Sequence, residues 1–193
     1  MDAFALSLIK AERQIRRLFT HLVYQFSCFG PADKIILRET LWRSRRVYFE
    51  GFVRGFDNLY PRSLRDLLGA EYDHLYGRLT EATDHRNKIF HGQLTTRSLT
   101  RGDLLSYVTD VRRWCETLAT SALDEFRYDG FAHNSFRKSQ VPELWNRFRV
   151  AWKSISSYGD FIRQHMEVRP TPVHPADMPQ PGHGCSETLG QDG

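Results

Sequence analysis

Apolar residues recur at three- and four-residue steps along most of this 193-residue chain. That spacing restricts it to packed helices. Phe4, Leu8, Ala11, Ile15, Leu18, Leu22 and Phe26 lay one stripe along a helix of roughly seven turns, stopped by Gly30-Pro31. From Asp33, suited to an N-cap, a second helix carries Leu37, Leu41, Tyr48, Phe52, Phe56 and Leu59 as far as Pro61. A short turn from Ser63 to Leu68 leads past Gly69 into a third helix striped by Tyr72, Leu75, Leu79 and Ala82. Gly92 is placed to end it, because glycine accepts the left-handed conformation of a helix C′ position. Thr100 and Asp103 have capping-box spacing and open a fourth helix, with Leu104, Val108, Val111, Cys115, Leu118, Ala122 and Phe126 on its stripe. Beyond Asp129-Gly130, Pro142 fits the first position of a fifth helix that carries Leu144, Trp145, Phe148, Trp152, Ile155 and Phe161 to about Met166. No alternating strand pattern appears. The predicted fold is all-α, an antiparallel bundle of four to five helices.

From Arg169 onward, Pro170, Pro172, Pro175, Pro179 and Pro181 alternate with polar residues and glycine, a composition that cannot pack a core. The expected organisation is a helical domain over 1–168 and a flexible, disordered tail over 169–193. Cys28, Cys115 and Cys185 are odd in number and far apart, which suggests neither a disulfide framework nor a zinc site and points to a reducing cytoplasm. His174, His183 and Cys185 lie in the tail, where no geometry is fixed for a metal. No metal or cofactor is expected. Asp2, Lys10, Glu12 and Arg13 interrupt the N-terminal apolar residues, and no apolar run of membrane-spanning length follows, so no membrane association is expected.

Twenty-two of the 27 basic residues are arginine, the lysines being Lys10, Lys34, Lys88, Lys138 and Lys153. Arginine's planar fork grips phosphate through paired hydrogen bonds, so the bias fits a phosphate-bearing partner; a GC-rich genome produces the same bias. The net charge of +4 gives mild attraction to polyanions and excludes duplex binding by charge alone. A helical DNA-binding regulator is disfavoured because no short helix-turn-helix with a basic second helix is present.

Arginine and histidine separated by four to six intervening residues occur at Arg16/His21, Arg78/His85, Arg86/His91, Arg127/His133 and Arg169/His174. Spacing alone therefore decides nothing. Context favours Arg86-Asn87-Lys88-Ile89-Phe90-His91, which is sealed by Gly92 at the end of the third helix. Counting 75, 79, 82, 86, 89 puts Arg86 on the apolar stripe, where an unpaired guanidinium costs several kcal/mol. Asp84, Asn87 and His91 share the neighbouring face as a polar cluster. His85 is expected at the rim of this region. Alternatively, Arg86 pairs with an acid such as Glu50 and His91 simply caps the helix dipole.

With Asn directly after the arginine, this motif resembles that of the HEPN family, over about 33–129 of the chain. The resemblance implies a small helical fold that dimerises about a two-fold axis, bringing two motifs into one cleft, and cleaves RNA without metal. In that chemistry the 2′-hydroxyl attacks the adjacent phosphate, leaving a 2′,3′-cyclic phosphate and a 5′-hydroxyl. His91 would move the proton, Arg86 would stabilise the phosphoryl oxygens, Asn87 would orient the imidazole or hold a phosphate oxygen, and Asp84 would support them. The setting it implies is a cytoplasmic toxin or antiviral-defence effector, with an RNA substrate and an antitoxin or defence-system partner protein. Some HEPN toxins carry a modifiable tyrosine two residues after the histidine; Gln93 stands there, which puts that form of control in doubt. The alternative is a non-catalytic HEPN module that dimerises and binds a partner protein or RNA. Arg43, Arg45, Arg46 and Lys88 are candidate RNA contacts, although charges on an outer helix face are usually just solvated. Trp42, Trp114, Trp145 and Trp152 can stack bases but are expected chiefly in the bundle or its dimer seam, with Cys115 an inert core thiol.

Overall fold

A computed structural model describes residues 2–92 and 99–168. The tail from 169 and Gln93 lie outside the described residues. Among the described residues seven α-helices run as α1 Asp2–Tyr24, α2 Lys34–Arg43, α3 Phe49–Leu59, α4 Leu64–Leu68, α5 Tyr72–Phe90, α6 Arg101–Phe126 and α7 Ile155–Phe161. Short 3-10 turns cover Pro31–Asp33, Gly69–Glu71 and Leu144–Arg147, and a π-helical turn, Ile162–Met166, continues α7. No strand occurs among the described residues. The protein is an all-α bundle.

The first helix is the hub, packed against α3, α5 and α6. Its stripe is buried from Phe4 through Leu22, and Gln14, fully buried, donates from Nε2 to the carbonyls of Cys115 (2.9 Å) and Asp129 (3.1 Å). A buried amide needs such partners. Gly130, at φ +83°, lets that turn close over Gln14, where an added Cβ would lie 2.8 Å from Gln14 Cγ. Beyond the end of α1 the chain is tied down by Lys138, whose Nζ donates to the carbonyls of Tyr24, Phe26 and Phe29 at 2.7 to 3.0 Å; the carbonyls of a helix's last turn have no partner within the helix. The predicted capping box is present at α6, where the Asp103 amide donates to Thr100 Oγ1 and Asp103 Oδ2 accepts from the Thr100 amide.

Two predicted helices are corrected. The second is broken into α2 and α3 at residues 44–48. Ser44 Oγ turns back to the Thr40 carbonyl, Val47 enters the core, and Tyr48, expected on the stripe, is exposed. Docking of α3 sets the break: Gly51 and Gly55 lie so close to the π-turn that an added Cβ would sit 2.4 Å from Met166 O and 2.9 Å from Met166 Cγ. Asp33 does not cap α2 with its side chain; its carboxylate accepts from the Gly30 amide instead. The fifth helix is reduced to α7 and its π-turn, with Ser154 as N-cap. Upstream, Phe148 and Trp152 pack on Phe26 with centroids 4.9 and 4.4 Å apart, and the Arg149 amide donates to the Leu59 carbonyl. These tertiary partners replace the helix ladder there.

Candidate active site at the end of helix α5

Helix α5 buries Tyr72, Leu75, Leu79, Ala82 and His85 against its neighbours. At 100° per residue, positions three and four beyond Ala82 flank the packed direction on opposite sides. The structure buries His85, three residues on, and leaves Arg86 half-buried at the edge. Arg86 therefore lies beside the apolar stripe and not within it, and the desolvated charge expected from the sequence does not arise. Its side chain faces the first turn of α1, where Asp2, Phe4, Ala5, Arg86, Ile89 and Phe90 line a recess of about 110 Å³.

The guanidinium of Arg86 is held by its sequence neighbour. Nη2 and Nε donate to Asn87 Oδ1 at 2.8 and 3.2 Å. No carboxylate among the described residues forms an ion pair with it; Glu50, the alternative partner, is 3.9 Å from Arg54 instead. A neutral acceptor fixes the fork without cancelling its charge.

His91 is the C-cap of α5, and its amide donates to the Asn87 carbonyl at 3.0 Å. Gly92, at φ +63°, turns the chain away, and its amide donates to the Ile89 carbonyl. The predicted glycine stop is thus observed, and it leaves the His91 imidazole exposed to solvent at the negative end of the helix dipole. Asp84 is exposed too, and no hydrogen bond or ion pair joins it to Arg86, Asn87 or His91, so the expected four-residue polar cluster reduces to the Arg86-Asn87 pair. Lys88 is half-buried on the same helix, while Arg43, Arg45 and Arg46 lie at the end of α2 and in the turn to α3, with no hydrogen bond or ion pair to α5.

The rival pair Arg78/His85 occupies a polar cluster that the sequence reading passed over. Arg78 Nε donates to Asp110 Oδ2 at 2.7 Å, Nη1 to Glu81 Oε2 at 2.9 Å and Nη2 to Ser106 Oγ at 3.2 Å. The guanidinium also sits 4.0 Å from the Tyr107 ring centroid. His85, expected at a rim, is buried, with Nε2 3.7 Å from Glu81 Oε1. The spacing Arg78, Glu81, His85 places all three on one helix face and was the available signal. Two acids compensate Arg78, so it staples α5 to α6 and has no charge to spare for a phosphate.

The Arg16/His21 match is structural as well: Arg16 pairs with Glu12, and His21 is buried, its pKa lowered to about 4 by burial. Arg169 and His174 lie outside the described residues. Trp114 and Trp152 are buried as expected, but Trp42 is 69% exposed and Trp145 41%. Burial raises the Cys115 thiol to about 11, consistent with an inert core residue. Among the described residues, no group of three or more His, Cys, Asp or Glu side chains is arranged to hold a metal, and no helix is long and apolar enough to cross a membrane. His174, His183 and Cys185 lie outside the described residues. Comparison with models of known protein families, with curated proteins and with solved structures finds no match.

Proposed function

We propose that this protein is an endoribonuclease that cleaves RNA by attack of the 2′-hydroxyl on the adjacent phosphate, without a metal, at a site built from Arg86 and His91. The observation that carries the reading is how Arg86 is held. Arg78, eight residues earlier on the same helix, is compensated by Glu81 and Asp110, whereas Arg86 is oriented by the Asn87 amide and forms no ion pair among the described residues, five residues from an exposed imidazole. A fork fixed before substrate arrives supplies stabilisation where charge develops, without reorganisation. His91, open to solvent, is accessible to a 2′-hydroxyl or a leaving 5′-oxygen.

Five helical residues correspond to a rise of roughly 7.5 Å and a net rotation of about 140°, so one chain does not aim both side chains at one phosphate. The proposal therefore includes a homodimer in which two motifs share a cleft, one His91 serving as base and the other as acid. It extends to a toxin or defence effector restrained by a partner protein.

The test is incubation of the purified protein with total RNA in EDTA beside His91→Ala and Arg86→Ala. Because both side chains are exposed or half-buried, these variants should melt within about 0.5 kcal/mol of wild type. The expected result is cleavage by wild type alone, with fragments ending in 2′,3′-cyclic phosphate. Equal cleavage by all three, or by none, refutes the site. In the latter case a second reading takes over, a non-catalytic module that docks a partner, favoured by Phe90, which is 71% exposed at the mouth of the Arg86 recess.

A further inference from the structure

The turn between α2 and α3 reads Trp42-Arg43-Ser44-Arg45-Arg46-Val47-Tyr48, with three arginines and no acid in seven residues. It is ordered by its own bonds. The Arg45 amide donates to the Arg43 carbonyl at 2.9 Å, the Val47 amide to the Ser44 carbonyl at 3.2 Å, and the Arg46 carbonyl accepts from the Val168 amide at 3.2 Å. Val47 is the buried peg that pins the turn to the body. On either side of that peg two large aromatic rings are left in water, Trp42 at 69% and Tyr48 at 59% exposure. A core gains most from burying such rings, and this bundle does not use them.

The charge beside them is also unspent. Arg45 and Arg46 are exposed and form no ion pair among the described residues, and Arg43 meets only the exposed Glu39 one turn back. The nearby acids in sequence, Glu39 and Glu50, are taken by Arg43 and Arg54. The turn therefore presents uncompensated arginine forks between two exposed π-faces.

We propose that this turn is a landing site for single-stranded RNA, bases stacking on Trp42 and Tyr48 and phosphates lying on Arg45 and Arg46. Exposed rings flanked by arginine are what a strand with unpaired bases can use, and a duplex, whose base faces are hidden, cannot. A membrane surface fits less well. Arg38 and Glu39 fall between Ile35 and Trp42 on the outer side of α2 and break the apolar face that an interfacial helix needs. Nor does the turn suit a second copy of itself, since a two-fold contact would set arginines against arginines. The inference rests on the nuclease reading only in taking RNA, and not DNA, as the natural strand.

Binding is tested with the full chain and a fluorescein-labelled 2′-O-methyl oligonucleotide of roughly ten residues. It lacks the nucleophilic hydroxyl, so the result does not depend on cleavage. Anisotropy gives affinity and salt dependence; intrinsic tryptophan emission on adding unlabelled oligonucleotide reports stacking. Trp42→Leu should weaken binding about tenfold and remove most of the quenching, while Trp145→Leu leaves both unchanged. Arg45→Gln with Arg46→Gln should flatten the dependence of log affinity on log salt by about 1.4, and the matching duplex should bind more weakly than the single strand. Unchanged affinity and quenching in Trp42→Leu overturns the proposal. So does failure of wild type to bind the oligonucleotide, or loss in Trp42→Leu of anionic-vesicle binding or of self-association in place of oligonucleotide binding. A protein that binds but never cuts RNA refutes the nuclease and leaves this site standing; one that cuts but ignores the Trp42 and arginine substitutions does the reverse.

Discussion

Acid should unfold this protein through His21. The ring is buried in α1, stacked on Tyr128 at a centroid distance of 4.2 Å, with Nδ1 3.3 Å from the Ser135 carbonyl. The amide nitrogen of Gln25, a donor to the His21 and Arg137 carbonyls, lies 3.5 Å from Nε2. A second ring proton would meet another donor in a desolvated site. Burial accordingly lowers the pKa from 6.5 to about 4, against the smaller opposing effect of the Ser135 bond. Between those values the unfolded chain holds a proton that the folded chain does not, so stability is complete above about pH 6.5 and falls as pH drops towards 4. Worked through, the loss between pH 7.5 and 4.5 is roughly 2 to 3 kcal/mol. With a urea slope of about 2 kcal/mol/M, that is a midpoint shift of about 1 to 1.5 M. Since other groups titrate over the same range, the informative quantity is the difference from His21→Phe, which keeps the stack on Tyr128 and removes the titration. Wild type should lose those 2 to 3 kcal/mol over and above whatever the variant loses. Equal losses in the two proteins, or a His21 ring signal titrating near 6.5 in NMR, would refute the reasoning.

Two further predictions concern packing. Gly51→Ala should cost about 1 to 3 kcal/mol, because its Cβ would lie 2.4 Å from the Met166 carbonyl oxygen, whereas Gly77→Ala, with nothing within 4 Å in the middle of α5, should gain about 0.5 to 1 kcal/mol; thermal melts of equal sign would contradict both assignments. His85 is buried with neither ring nitrogen hydrogen-bonded, so His85→Leu should hold or raise stability by about 1 kcal/mol and leave RNA cleavage unchanged. A loss of cleavage without a loss of stability would transfer the active site to the Arg78/His85 pair.

The parts of the fold that were legible in sequence are those settled within a few residues. The α1 stripe, the Thr100-Asp103 box and the Gly92 stop depend on contacts three or four positions away, and each is found where the pattern puts it. The misread parts are decided by distant partners. Nothing between Ser44 and Tyr48 forbids a helix; Gly51 and Gly55 draw α3 onto Met166, more than 100 residues on, and the chain must break to allow it. Likewise, Phe148 and Trp152 have helical spacing but satisfy Phe26 from a non-helical backbone tied to Leu59.

The same distinction governs the candidate site. An arginine-histidine spacing states which side chains are available and says nothing about whether their charges are already used. Arg78 and Arg86 share one helix, eight residues apart, and the sequence offers both with a histidine downstream. What separates them is α6, which brings Asp110 to Arg78 beside the local Glu81, whereas Arg86 forms no ion pair among the described residues. A compensated guanidinium strengthens the bundle, while an uncompensated one, oriented by an amide at small cost, attracts an anion. Giving Arg86 an acid should therefore remove its function without removing the residue. Asn87→Asp, which keeps the acceptor at the same position and adds a charge, should suppress cleavage nearly as far as Arg86→Ala while leaving the melt within about 0.5 kcal/mol of wild type. Full activity in Asn87→Asp would mean that the free charge of Arg86 is not what the site uses.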